Sequence, residues 1–348
     1  MMVLDTIWMI AAALLAIAAL LWCVLLVSHA AAERKERRIA RYQDAWFERL
    51  LPVMDEDLPL PALPKPARRE EMEAVLGLLR ELAERFRGQY RDRLSAVLDQ
   101  IDAPAFGRRL LRSGGIAQRV RGAALLAWCS PSEASNAALE HALGDRDPRV
   151  RLEATMGLVR KGLVTDPVPM LKALCRDRAA HSLLARDAFR IWGKSAIADW
   201  SPLLQRPWPV DAWVLLLEAA GTAGRPEWTP LIAAQTRHGS TLVARTALAA
   251  LETLGDPQGE TAALDASAHA NPAVRRQAAR TLAACGTLDT CGGTLDTLLA
   301  DPSFEVRRVA LRGLLALGGR PRLLDRPPAD AWQRELFLEA GLIAPEAA

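Results

Sequence analysis

The side chains best able to carry chemistry are scattered in this sequence. His29, His141, His181, His238 and His269 stand apart, and Cys23, Cys129, Cys175, Cys285 and Cys291 include no Cys-x-x-Cys pair. A structural zinc site takes about four ligands at short, paired spacings, so no metal is expected. Only Cys285 and Cys291 lie close together; an odd set of thiols without a paired framework suits a reducing compartment. Cys129 and Cys175 read as small apolar residues within helices. The motifs Gly-x-Ser-x-Gly, Walker A, His-Glu-x-x-His and Gly-x-Gly-x-x-Gly are all missing, and each would encode a nucleophile, a phosphate cradle or a metal pair. No catalytic residue, no cofactor and no enzymatic activity are therefore expected.

Two other concentrations point to binding. Trp192, Trp200, Trp208, Trp213 and Trp228 fall within one short region. Tryptophan is favoured at binding hot spots, which makes Trp208 and Trp213 candidate anchors for a partner. Core filling is the competing reading, because indole rings are mostly buried. The second concentration is basic: Arg245, Arg276, Arg280, Arg308 and Arg312 recur at fixed places in a repeating pattern.

That pattern fixes the elements. Val150, Ala154, Leu158 and Gly162 are spaced four apart, and the spacing returns as Val243–Ala247–Leu251–Gly255, Val274–Ala278–Leu282–Gly286 and Val306–Ala310–Leu314–Gly318. The last three copies start 31 and 32 residues apart, a period of tandem helical repeats. Residues four apart share one helix face, and a glycine suits a left-handed stop. Asp147-Pro148, Asn271-Pro272 and Asp301-Pro302 read as a capping side chain followed by a proline in the first turn. Val120, Ala124 and Trp128 read as a weaker early copy, with Leu184–Ala188 and Leu216–Ala220 as degenerate ones, giving about seven units. Gly221 and Gly224 read as helix ends. Shorter helices are expected at Pro169–Cys175, Pro202–Gln205, Pro230–Gln235 and Gly293–Ala300. Aromatic residues make up only 5% of the chain while Ala, Leu and Arg abound, so the class is all-α.

The pattern Asp-x-x-x-x-Val-Arg-x-x-Ala-x-x-x-Leu resembles the second helix of HEAT repeats, including those of bacterial HEAT-like proteins. Asp145 with Val150-Arg151 and Asp301 with Val306-Arg307 match it fully, while His269 and His238 replace the acid in two copies and Ala244 replaces one arginine. The resemblance spans roughly residues 115 to 320. It implies a right-handed α-solenoid of helix-turn-helix repeats, an Asp–Arg ladder between repeats that makes Arg151, Arg275 and Arg307 structural, and second helices lining a concave face. His238 and His269 then become loop caps. On that face, two and six positions after the motif valine, stand Arg245, Arg276, Arg280, Arg308 and Arg312, with Leu152, Met156, Gly122 and Leu126 in earlier repeats. A groove that is basic at its C-terminal half and apolar at its N-terminal half is expected. HEAT-like enzymes such as the alkylpurine DNA glycosylases and phycobilin lyases exist, but no residue set here matches their activities.

The repeats are preceded by a different segment. Ile7 to Val27 is uninterrupted by charge, and about 20 apolar residues cross a bilayer core of about 30 Å as a helix. Trp8 and Trp22 sit near its ends, where indole favours the interface. A cleaved signal peptide is disfavoured by the run's length, by the lack of a basic residue before it and by the basic cluster after it. Asp5 precedes the span; Arg34, Lys35, Arg37, Arg38 and Arg41 follow it. The positive-inside rule then places the C-terminal body in the cytoplasm. Five prolines between Leu51 and Pro66 suggest an extended spacer.

The expected organisation is a short extracytoplasmic tail (1–6), a transmembrane helix (7–28), a basic juxtamembrane helix (29–50), a proline-rich linker (51–69), capping helices (70–114) and the solenoid with its C-terminal cap (115–348). The expected function is a non-catalytic, membrane-anchored scaffold. Its partner would be a membrane-associated or acidic protein, for instance in an envelope polysaccharide-synthesis or secretion assembly. A formal charge of only +3 gives no reason to expect nucleic acid. The alternative is a HEAT-like enzyme or regulator acting on anionic groups, nucleic acid or lipid headgroups, through the arginines.

Overall fold

A computed structural model describes residues 2–54, 59–85, 91–164, 167–176, 182–195, 199–324 and 327–343. Among these residues all regular structure is helical. The chain divides into two compact units, one formed by Met1–Arg112 with Trp128–Ser132, the other by Ser113–Ala127 with Glu133–Ala348.

The first unit begins with α1 (Met2–Leu50), a single helix running through both the apolar segment and the basic one. It is followed by α2 (Arg69–Arg85), α3 (Arg91–Gln100) and α4 (Ala103–Leu111). The last turns of α1 pack on α2. Trp46, Leu50 and Val53 are buried, as are Met72, Val75 and Leu79 at the spacing expected for α2. The Trp46 indole N–H donates to Glu71 at 3.0 Å, and Arg38 pairs with Glu70 at 2.9 Å. The proline-rich stretch is not a free spacer. Leu63 N–H donates to the Gln100 side chain at 3.0 Å, and Arg93 donates to the Val53 and Pro52 carbonyls. Proline removes donors and fixes φ, but its carbonyls remain good acceptors, and these tie the stretch into the unit.

From Ala19 to Ala30 every described side chain of α1 is exposed, including Leu20, Leu21, Trp22, Val24, Leu25, Leu26 and Val27. Among the described side chains no stretch of helix is long and apolar enough to cross a membrane. Those of the tail and of Ile7 to Leu14, Trp8 among them, lie outside the described set, as does His181.

The second unit is a series of helix pairs. α5 (Ile116–Leu126) comes first, then α6 (Glu133–Ala142) with α7 (Pro148–Arg160), α8 (Val168–Cys175) with α9 (Leu183–Gly193), and α10 (Ser201–Leu204) with α11 (Val210–Ala223). There follow α12 (Thr229–Ala234) with α13 (Thr241–Leu254), α14 (Glu260–Ala266) with α15 (Pro272–Cys285), α16 (Leu288–Leu298) with α17 (Phe304–Ala316), and finally α18 (Arg320–Leu324) with α19 (Ala331–Glu339). The second helices α5, α7, α9, α11, α13, α15 and α17 each pack on the next. One pair cannot bury its apolar face alone, so the core lies between neighbours.

The four-residue spacing is that core. Val150, Ala154, Leu158 and all three ladder residues of α13, α15 and α17 are buried. Gly162, Gly255 and Gly318 stop their helices with positive φ, as does Gly224 after α11. Gly286 does not: its φ of −102° is extended, and glycine is needed there because a Cβ would lie 2.7 Å from Glu260 Oε1 and 2.9 Å from Cys291 Sγ. Gly221 is interior to α11, not at its end; its Cβ would lie 2.8 Å from Ala250 Cα.

Three registers differ from the sequence reading. In α5 the buried positions are Gly122, Ala123 and Leu126, while Val120 and Ala124 are half-buried. The face is Gln118–Gly122–Leu126, two residues from the expected one, because Gln118 and Gly122 stand where an apolar residue and an alanine stand elsewhere. Asp301 is not the cap of α17, which starts after Ser303; Asp147 and Asn271 do cap, accepting from Arg149 N–H and Ala273 N–H. α16 starts at Leu288 instead of Gly293, nucleated by a Thr287–Thr290 capping box whose reciprocal bonds outweigh the two interior glycines.

Candidate functional site

The arginine following the ladder position is structural. Arg119 meets Asp145 at 2.8 and 3.1 Å, and Arg275 meets Asp301 at 2.7 and 2.8 Å, each pair two-pronged and 26 residues apart. Arg307 continues the series to Asp330 in the terminal helix pair, with its guanidinium 5.3 Å from the centre of the Trp332 ring. Arg151 is wholly buried and donates to the carbonyls of Ala173, Asp145 and Arg146. The acids also accept from the backbone two residues on, Asp145 from Asp147 and Asp301 from Ser303. In the histidine copies the imidazole takes over that role: His238 Nδ1 accepts from Ser240 N–H and His269 Nδ1 from Asn271 N–H, both at 2.9 Å. Where the acid is missing, the preceding repeat lacks the arginine too, with Trp213 facing His238 and Ala244 in the copy before His269.

Burial pushes the Asp145 and Asp301 carboxyls up, but the guanidinium of Arg119 or Arg275 and the backbone N–H hold each below its ordinary value. A folded value below the unfolded one stabilises the fold above the ordinary aspartate value of about 3.9, and that stability is lost as pH falls through the folded value. Asp301→Ala is expected to cost about 3 kcal/mol near neutrality, because a nearly buried guanidinium loses its partner. The difference from wild type in urea unfolding should shrink below about pH 4. A deficit that stays constant down to pH 3 would show that the ion pair is not its source.

The exposed arginines form a row beside this ladder. Taking the ladder from Leu184 in α9 and Ala212 in α11, the place two positions on holds Arg186, Val214, Arg245, Arg276 and Arg308. The place six positions on holds Arg190, Glu218, Ala249, Arg280 and Arg312. Equivalent places on second helices that pack side by side lie along one surface. Arg186 pairs with Glu218 of the next second helix at 3.0 Å. Arg276 reaches Glu305 of α17 at 3.9 Å, and Glu305 also holds Arg308 at 2.7 Å. Arg312 approaches Glu339 of α19 at 3.9 Å. Among the described residues no ion-pair partner is recorded for Arg245 or Arg280. Arg186 and Arg190 were missed in the sequence because the Leu184–Ala188 copy was too degenerate to set their phase.

The expected apolar half of the groove is not there. Leu152, Met156, Gly122 and Leu126 are all buried: Leu152 and Met156 belong to the core between helices, and Gly122 and Leu126 lie on the shifted ladder face of α5. The tryptophans are core as well. Trp213 is 3% exposed, Trp192 and Trp200 meet Phe189 edge to face, and the Trp200 and Trp228 rings stack 5.2 Å apart and nearly parallel. Trp208 is half-buried, with its indole N–H donating to the Leu203 carbonyl at 2.8 Å. Aromatic bulk fills the joint where the short α10 leaves space.

Among the described residues no group of three metal-ligating side chains occurs. Burial pushes the Cys175 and Cys285 thiols up to about 11, which suits packing and not nucleophilic chemistry.

Stacked second helices, an Asp–Arg ladder between them and left-handed glycine stops define a tandem array of α-helical repeats. Residues 229–314 match the sequence family described as HEAT repeats. No curated protein matches the chain. Similar solved structures include an engineered protein (17% identity, TM-score 0.33, covering 62% of this chain and 97% of that one). They also include human deoxyhypusine hydroxylase in complex with glycerol (18% identity, TM-score 0.33, 83% and 98%). A third is the complex of CpcE and CpcF of phycocyanin lyase from Nostoc sp. (20% identity, TM-score 0.28, 69% and 94%). At these identities and scores they carry nothing about activity to this chain.

Proposed function

We propose that this protein is a non-catalytic scaffold, anchored in a membrane by α1, that grips an acidic protein partner along the arginine row of a right-handed HEAT solenoid. The observation that carries the reading is the row itself: arginines at one place of successive second helices, on one surface, with Arg245 and Arg280 unpaired among the described residues. Charge so arranged raises encounter rates and selects partners by sign. The anchor rests on the charge-free run from Ile7 to Val27 and on the exposure of its described apolar side chains all round the helix, since a helix apolar on every side belongs in lipid or a core. The basic residues after the run place the repeats in the cytoplasm. A periplasm-active reporter fused after Ala348 should therefore be silent; a strong signal reverses the orientation.

Arg276→Glu with Arg308→Glu tests the gripping surface. The pair should lower retention of the partner that co-purifies from detergent by about 100-fold, since repulsion replaces attraction at two adjacent repeats, while the melting temperature hardly moves. Normal retention makes the row a merely solvated face. Unfolding would place these arginines in the structural ladder.

A further inference from the structure

The arginine row has a fixed pitch, and the pitch selects the shape of what it binds. Arg245, Arg276 and Arg308 occupy the same place on α13, α15 and α17, which pack side by side. Packed helices lie about 8–10 Å apart. A polyproline II chain rises about 3.1 Å per residue with three residues per turn, so every third side chain returns to the same side after about 9 Å. A β-strand fails this match, because side chains three apart point to opposite faces. An α-helix returns a side chain after two turns, but its body is about 10–12 Å across. The row is partly exposed: the Arg276 and Arg308 side chains are 38% and 36% exposed beside Arg312 at 66%. A slim chain brings its carboxylates closer to such half-covered side chains than a helix of that width does.

The row also carries its own carboxylates. Glu305 bridges Arg276 and Arg308 between two helices, and Glu339 of the terminal helix approaches Arg312. Two of these three contacts are 3.9 Å long, beyond hydrogen-bond range, and Arg308 Nε has no acceptor. The resident acids therefore hold the row loosely and leave its capacity unfilled.

Resting on the reading of the row as the partner site, we infer that the partner presents an acidic, proline-rich segment in the polyproline II form, with a carboxylate at every third residue, and that it displaces Glu305 from Arg276 and Arg308. The probe is a fluorescent peptide of Glu-Pro-Pro repeats, titrated against the full-length chain in detergent. It should bind about tenfold tighter than a peptide of the same composition with its glutamates clustered. Arg276→Glu/Arg308→Glu should weaken it by about 100-fold, and Glu305→Ala should tighten it about three- to tenfold, scaled to the loss of one or two exposed charge contacts. Melting temperatures confirm that each variant is folded.

Equal binding of spaced and clustered peptides, or tighter binding of a helical peptide with an acid at every seventh residue, overturns the polyproline II form and leaves the row standing as the site. Weakened binding in Glu305→Ala overturns the displacement. Preference for vesicles containing phosphatidylglycerol, or for single-stranded DNA with a steep salt dependence, assigns the row to phosphate and overturns the peptide partner. If no peptide binds and the double reversal also retains the co-purified protein, the row is not the partner site.

Discussion

Val306→Asp is expected to unfold the C-terminal repeats, whereas Arg308→Ala, two residues along, leaves them intact. Val306 is wholly buried with Ala310 and Leu314 against the Val274 face of α15. A carboxylate there has no partner, and burying it costs several kcal/mol, in addition to about 1.5–3 kcal/mol of lost valine burial. A domain's total margin is only about 5–15 kcal/mol, and in a repeat array the damage first falls on the nearest neighbours. Hydrogen exchange should lose protection from α15 through α19. Arg308 sits on the partly exposed row with Glu305, and truncating such a side chain changes stability by less than about 0.5 kcal/mol. Similar melting shifts for the two variants would mean that the ladder face and the row face have been exchanged.

Deleting residues 1–66 is expected to unfold α2–α4, while deleting residues 1–28 leaves them folded. The cut at 66 removes Trp46, Leu50 and Val53 from the core of the first unit. It also removes the indole donor to Glu71 and the Val53 carbonyl that Arg93 uses. Losing a buried tryptophan or leucine costs about 2–5 kcal/mol each, so the sum exceeds what a small unit holds in reserve. The cut at 28 removes helix whose described side chains are all exposed. Limited proteolysis within residues 69–111 distinguishes the two truncations. Full protection after the longer deletion would contradict the packing of α1 on α2.

What the sequence discloses and what it hides follow from the range of the interactions involved. The four-residue ladder, the glycine stops at Gly162, Gly255 and Gly318, the Asp147 and Asn271 caps and the loop-capping histidines are local signals, legible because each lies within a turn or two of helix. The Arg275–Asp301 pairing is legible through the repeat, since one copy shows what the next must supply. The proline-rich stretch is not, because its partners Gln100 and Arg93 lie 37 and 40 residues away, and composition alone describes it as a spacer. The register of α5 is hidden by Gln118 and Gly122, which carry no apolar signal, although the Arg119–Asp145 pair would have set it. The expected apolar groove rests on Leu152 and Met156, whose places face solvent in the late repeats and the core in this one, and on Gly122 and Leu126, which the hidden register of α5 moves onto its ladder face. Trp213 follows the same rule: its size suits an anchor, and its place in α11 puts it in the core.

The proposed scaffold role stands or falls with the sign of the charge at the arginine row. The most direct measurement is a charge swap in full-length protein, comparing wild type and Arg276→Glu/Arg308→Glu against a peptide of Glu-Pro-Pro repeats and one of Arg-Pro-Pro repeats. The account predicts that wild type binds the acidic peptide and rejects the basic one, and that the reversed chain rejects the acidic peptide and gains the basic one. Binding by both chains that ignores the sign of the peptide would contradict it.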